Sequence, residues 1–160
     1  MKIIADEMLG KLTRWLRIEG LSVEYARGKS DKSIIAICKR NKAILLTADI
    51  QLSNIAKKRG VKCLIVNNSP LEKEVARVLL FLGVQGRLSP GSVCPICNSK
   101  LEKKDKKELK DLKWVDGEVY WCRKCKKAYW HGSHWKDIEK RMKKINEELK
   151  SMSLLQPPLR

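Results

Sequence analysis

No stretch of the chain is apolar for long enough to cross a bilayer, and the N-terminus lacks a leader pattern of basic, apolar and small residues. Both absences lead to the expectation of a cytoplasmic protein with no membrane partner. The phosphate-cradling patterns GxGxxG and GxxxxGKS/T are also missing, which removes dinucleotide-cofactor and P-loop chemistry. No Ser-His-Asp or Cys-His arrangement has supporting context, and no internal repeat is visible. Acids are scarce as well: 18 Asp and Glu face 35 Lys and Arg, for a net charge of +17. That excess goes beyond what solubility needs and points to a polyanion, with nucleic acid the first candidate. The alternative is the lysine-rich surface of a heat-adapted protein, but such surfaces usually balance bases with acids.

What is present begins with Met1 to Gly20. The apolar segment Ile3-Ile4-Ala5 runs into two carboxylates, Asp6 and Glu7. A helical pattern follows, with Leu9, Leu12 and Leu16 on one face and Met8 and Trp15 beside it. Lys11, Arg14 and Arg17 fall largely outside that face. A carboxylate between a strand and a helix sits where open α/β sheets place their active sites. Up to about residue 85 the alternation continues. Strands are expected around 21–25, 43–47 and 61–66, and helices through Ile34 to Cys38, Leu52 to Ala56, and Leu71 to Leu82. Gly60 closes one helix and Pro70 opens another. The order implies βαβ units: a doubly wound, mainly parallel sheet with helices on both faces. A Gly/Pro/Ser stretch, 86–92, breaks the pattern, giving an α/β domain over 1–88, a second module over 89–135, and a C-terminal helix with a loose tail over 136–160. That helix has the apolar stripe Ile138, Met142, Ile145 and Leu149.

The strongest local signal is Cys94-Pro-Ile-Cys97 with Cys122-Arg-Lys-Cys125. Two CxxC knuckles offer four thiolates to a structural zinc, and such a closed site folds a module too small for a core of its own. The 24 residues between Cys97 and Cys122 slightly exceed the usual spacing, which a long hairpin absorbs. A redox CxxC is the competing reading. Cys38 and Cys63 sit in apolar patterns and read as buried fillers. Lys124, Trp114, Trp121, Tyr129, Trp130, His131 and His134 crowd the same module. The aromatics there can stack bases or serve as a miniature core.

The acidic constellation is subtler. Asp6, Asp31 and Asp49 stand at successive strand–helix junctions, and in a doubly wound sheet these turns can converge. Clustered carboxylates would suit Mg²⁺ or Mn²⁺, an ion that activates water and stabilises charge on a phosphate. Asp31 and Asp49 also stand where an acid simply caps a helix.

Taken together and in order, Asp6 to Arg17, Leu45-Leu46-Thr47-Ala48-Asp49, the two cysteine pairs and Tyr129-Trp-His-Gly-Ser-His134 resemble a known family. It is the PIN-like ribonuclease family with a C-terminal zinc ribbon, related to the C-terminal RNase domain of the worm mutator exonuclease. The resemblance implies a PIN-like fold with an appended ribbon, and a Mg²⁺- or Mn²⁺-dependent endoribonuclease acting on RNA. It places the family's acids on Asp6, Asp31 and Asp49 and its basic helix on Lys11, Arg14 and Arg17. Thr47 matches a small hydroxyl that orients the acid or a bound water. A fourth acid of typical PIN nucleases falls where this chain has Asn67 and Asn68. The layout also resembles nucleases of ribosomal RNA maturation, so RNA, ribosomal RNA or the ribosome is the expected partner. A non-catalytic RNA- or ribosome-binding factor is the alternative. DNA binding through the zinc module is weaker, since no recognition-helix pattern follows the knuckles.

Overall fold

Two strands form the centre because every residue in them is apolar or small enough to be buried on both faces. They are β1 (Ile3–Ala5) and β3 (Ile44–Thr47). They pair in parallel, with β2 (Glu24–Tyr25) outside β1 and β4 (Cys63–Ile65) outside β3, also parallel. The order β2-β1-β3-β4 is that of a doubly wound sheet. The computed structural model describes residues 1–84, 88–105, 115 and 117–155, with the side chains at 133 and 134 outside that set. Gly86, Arg87, Trp114, Pro157, Pro158 and much of the charged segment after Lys100 therefore lie outside the described residues.

Alternation along the strands builds two cores. Ile3, Ala5, Ile44 and Leu46 face one side, where α1 (Gly10–Ile18) and α4 (Leu71–Leu82) supply Leu12, Leu16, Val75 and Leu79. Ile4 and Leu45 face the other, with Ile34, Ile35 and Cys38 of α2 (Asp31–Asn41) and Leu52 and Ala56 of α3 (Ile50–Lys58). Helices thus cover both faces, as the pattern predicts. Met8 departs from it: the residue lies in a 3-10 turn (Glu7–Leu9) before α1 and is 72% exposed.

The last helix, α5 (Ser133–Leu155), is not an appendage. Its Ile145 is fully buried in the first core, with Leu149 and Met152 packed against it. Arg141 pairs with Glu72 of α4 at 2.7 Å and lies over the Trp15 ring at 5.6 Å. Between α4 and α5 runs a three-stranded antiparallel sheet, β5 (Glu102–Lys104), β6 (Val119–Cys122) and β7 (Lys127–Trp130). The β5–β6 hairpin is the long connection that the cysteine spacing calls for.

The chain returning from α4 crosses the end of α1. A Cβ on Gly20 would lie 2.4 Å from the Ser89 carbonyl oxygen, so only glycine permits that approach. Beside it Glu19 is 6% exposed, and its Oε1 has no hydrogen-bond partner among the described residues. Burial pushes the Glu19 carboxyl up to about 7. A raised acid favours the protonated native state, so its contribution to stability is present below the ordinary pKa of 4.5 and lost as pH rises through about 7. Glu19→Gln should leave stability near pH 5 unchanged and raise it by about 1–3 kcal/mol at pH 8, read by denaturant melts at both pH values.

Candidate functional site

The order β2-β1-β3-β4 puts the reversal of strand order between the parallel pair β1 and β3, and ligands of open α/β sheets bind beyond the carboxyl ends of such a pair. Asp6 follows β1 directly and is only 7% exposed. Its Oδ1 accepts the Glu7 N–H at 2.7 Å, and its Oδ2 accepts the Thr47 hydroxyl at 2.9 Å. The hydroxyl in turn accepts the Asp49 N–H at 3.0 Å. Thr47 is fully buried, so this relay from the end of β3 to Asp6 is shielded from water.

Asp49 is the N-cap of α3. Its Oδ1 takes the N–H groups of Gln51 and Leu52 at 2.7 and 3.0 Å, while its Oδ2 makes no hydrogen bond among the described residues. Asp31 is exposed in the first turn of α2, and there the cap is Ser30, whose hydroxyl accepts the Ser33 N–H. Among the described residues the three aspartates do not form a set with oxygens within 4.8 Å of one another; the four cysteines do so with their sulfurs. Asp6, Thr47 and Asp49 are therefore brought together by hydrogen bonds, and Asp31 stands apart.

Lys11 and Arg14 are exposed along α1, Arg14 about two turns beyond Asp6. Arg17 corrects the reading of an RNA-facing side chain. It is 5% exposed, and its guanidinium donates to the Val23 carbonyl at 2.7 and 3.0 Å and to Ile96 at 2.8 Å, with a longer bond of 3.3 Å to Pro95. Burial lowers its pKa, against an opposing pull from Cys94 and Cys97. One step round the helix from the exposed Lys11–Arg14 line was enough to turn it inward, and the helical period alone could not say what polar groups would meet it there.

Pro95 and Ile96 lie in the first knuckle. Cys94 and Cys125 place their sulfurs 3.9 Å apart, Cys97 and Cys122 3.4 Å. Tetrahedral zinc with bonds of about 2.3 Å holds its sulfurs about 3.8 Å apart, so the set fits that ion. Each knuckle closes with the residue after its second cysteine in the left-handed region, Asn98 at φ 66° and Lys126 at φ 54°. The N–H of each bonds back to the first cysteine's carbonyl. Burial raises the Cys97 pKa, but hydrogen bonds with Ser99 and the neighbouring cysteines outweigh it and bring the thiol down to about 6. The Tyr129 hydroxyl stands 3.3 Å from the Cys94 sulfur, an outer contact of the kind that steadies a metal site. Asn98 adds a second tie to the α/β core: its Oδ1 accepts the Val23 N–H at 2.9 Å, and its amide donates to Ser22.

Of the remaining expected contacts, Lys124 is exposed in the second knuckle, Trp130 is half-buried at the end of β7, and His131 is exposed with its ring stacked on Trp135 at 4.1 Å. The His134 side chain lies outside the described residues. Sequence reasoning missed Glu74, a buried acid of α4 that accepts the Asn67 N–H and the Ser69 hydroxyl and pairs with Arg77. Burial raises its pKa, but these bonds outweigh it and hold the carboxyl below its usual range. Its place in the first turn after Pro70 was the available signal.

Two outcomes follow from this geometry. The purified chain should carry one zinc by elemental analysis, and Cys122→Ser should lose it together with a large part of the thermal stability. Arg17→Ala should cost about 2–4 kcal/mol by urea unfolding, since it strands buried carbonyls. It should leave the slope of RNA affinity against salt unchanged, because the side chain does not face the ligand.

No curated protein and no solved structure matches the chain. A family model does: the Mut7-C RNAse domain, over residues 1–142. That span takes in the sheet, the Asp6–Thr47–Asp49 relay, both knuckles and the first half of α5. With the match covering most of its length, the chain belongs to the Mut7-C RNAse domain family.

Proposed function

We propose that the protein is a metal-dependent endoribonuclease of PIN-like type. The observation that carries this reading is the nearly buried Asp6 carboxylate at the switch point of the sheet, held by the Thr47 hydroxyl that also takes the Asp49 N–H. Each Asp6 oxygen accepts one hydrogen bond and keeps a lone pair for another partner, and Asp49 Oδ2 is uncommitted. Such hard oxygen donors suit Mg²⁺ or Mn²⁺, which would lower the pKa of a bound water and neutralise charge on a phosphodiester. Asp6 and Asp49 would hold the ion, and Asp31 would reach it through water, since Mg²⁺ keeps much of its hydration shell.

The chain's own contributions are positional. Thr47 fixes the rotamer of Asp6, and the N–H groups of α3 fix that of Asp49. Lys11 and Arg14 bring positive charge along the exposed side of α1 to steady the scissile phosphate. Lys124, Trp130, His131 and His134 would hold the strand at the ribbon. The net charge of +17 should make that grip weaken steeply with salt.

Two observations favour the second reading, an RNA- or ribosome-binding factor that does not cut. Each of Asp6 and Asp49 already serves a structural bond at the start of a helical turn, and positions 67 and 68 are asparagine. Asp6→Asn and Asp49→Asn separate the two, because asparagine still caps and accepts. Incubated with total cellular RNA and Mn²⁺, each variant should lose at least about 100-fold of the cleavage that EDTA abolishes. Asp49→Asn should melt as the wild type does and Asp6→Asn somewhat lower, because both Asp6 oxygens accept hydrogen bonds and an amide has one oxygen. RNA that stays intact but co-purifies with wild type and variants alike would move the assignment to the binding factor.

A further inference from the structure

Where α1, the ribbon and the start of α5 meet, the surface opens into a cavity of about 350 Å³ whose lining is mostly apolar. Arg14 and Ile18 form one wall and Tyr120, Trp130, His131 and Trp135 the other. That size falls in the range of small-ligand pockets, and the lining is unusual for a surface otherwise dominated by lysine.

The aromatic wall has order of its own. His131 stacks on Trp135 with ring planes 14° apart, so an exposed imidazole is backed by an indole. Tyr120 adds a third ring to this wall, its centroid 6.5 Å from that of His131 and its plane turned by 28°. The Tyr120 hydroxyl is anchored on Glu118 at 2.7 Å, which holds its ring in place. Gly132 has a purpose here: a Cβ on it would come within 2.8 Å of Trp130 Nε1, so glycine lets this indole of the cavity wall lie back against the chain.

Charge decides what the cavity takes. Among the described residues Arg14 is the one cation in the lining, and it belongs to the same exposed helix side as Lys11, which leads toward Asp6. An apolar, ring-shaped ligand whose neighbour is an anion satisfies both halves of the site, and a nucleotide unit within a strand has that chemistry. We infer that this cavity is a base subsite: one unstacked base of single-stranded RNA slots against His131 and Trp135 while Arg14 holds an adjoining phosphate. The inference rests on the reading of the chain as a protein that acts on RNA, and it adds that the substrate must be locally unpaired. Duplex RNA buries its base faces and cannot enter.

The test is fluorescence anisotropy with a short labelled oligouridylate, a hairpin duplex, and a base-free ribose-phosphate oligomer, without added magnesium or manganese. Trp135→Ala and His131→Ala should each weaken oligouridylate binding about tenfold, and Trp135→Phe should keep most of it. The salt slope should stay the same, because no cation is lost. Binding of the base-free oligomer should be equal in wild type and variants. Should Trp135→Ala fail to fold, His131→Ala and Gly132→Ala serve instead, the first at an exposed position and the second displacing the Trp130 indole of the wall with every ring retained. Wild-type affinity in these variants, a duplex that competes as well as the single strand, or equal losses with the base-free oligomer would each overturn the subsite. Binding is read without cleavage, so the two readings fail separately. An inactive protein that still shows base-dependent binding keeps the subsite and loses the nuclease. Asp6-dependent cleavage with unaltered strand affinity in Trp135→Ala keeps the nuclease and loses the subsite.

Discussion

A guanidinium presents its donors in a rigid plane and cannot shed its charge, so a buried one must find acceptors in fixed directions. Arg17 finds them in two segments far apart in the chain, the Val23 carbonyl before β2 and the Pro95 and Ile96 carbonyls inside the first knuckle. Asn98 works the same seam from the other side. Because the knuckle is closed by the four-cysteine cluster, its carbonyls have set positions, and the α/β domain and the ribbon share one frame. The cavity between them, and the angle at which the ribbon meets α1, depend on that joint.

A second constraint acts at the carboxyl edge of the sheet. Parallel strands buried on both faces leave their polar chemistry only at their ends. Here β1 and β3 end side by side, so the first polar residue of one, Asp6, meets the last residue of the other, Thr47. The hydroxyl that satisfies the carboxylate is itself satisfied by the N–H that begins α3. A small network thus serves stability and gives a carboxylate of fixed orientation at the place where such folds bind ligands.

Much of this was legible beforehand, for reasons that can be traced to particular residues. Runs such as Ala43 to Thr47 have no face for water, which forces helices onto both sides, and paired CxxC spacing specifies a metal knuckle. The acids at the ends of β1 and β3 could be placed because strand ends are marked by the change from apolar to polar. What escaped was set by long-range contact. Nothing in the helical pattern of α1 tells Arg17 from Arg14, since burial of the first depends on a knuckle some 80 residues later. The same holds for α5, whose apolar stripe shows in the sequence without saying that Ile145 enters the first core. Asp31 looked equivalent to the other acids in sequence, but Ser30 took the cap and left it in solvent.

The burial of Ile145 also sets an order of events. A chain emerging from the ribosome presents its N-terminal residues first, and domains commonly fold as they appear. Here the face of β1 and β3 that α1 and α4 cover lacks its last fully buried residue until residue 145 has been made, after both knuckles. Metal capture by the ribbon can therefore precede closure of the α/β core, and α5 acts as the final latch. The surface between α1 and α4 is thus finished only after the residues of both knuckles have been made.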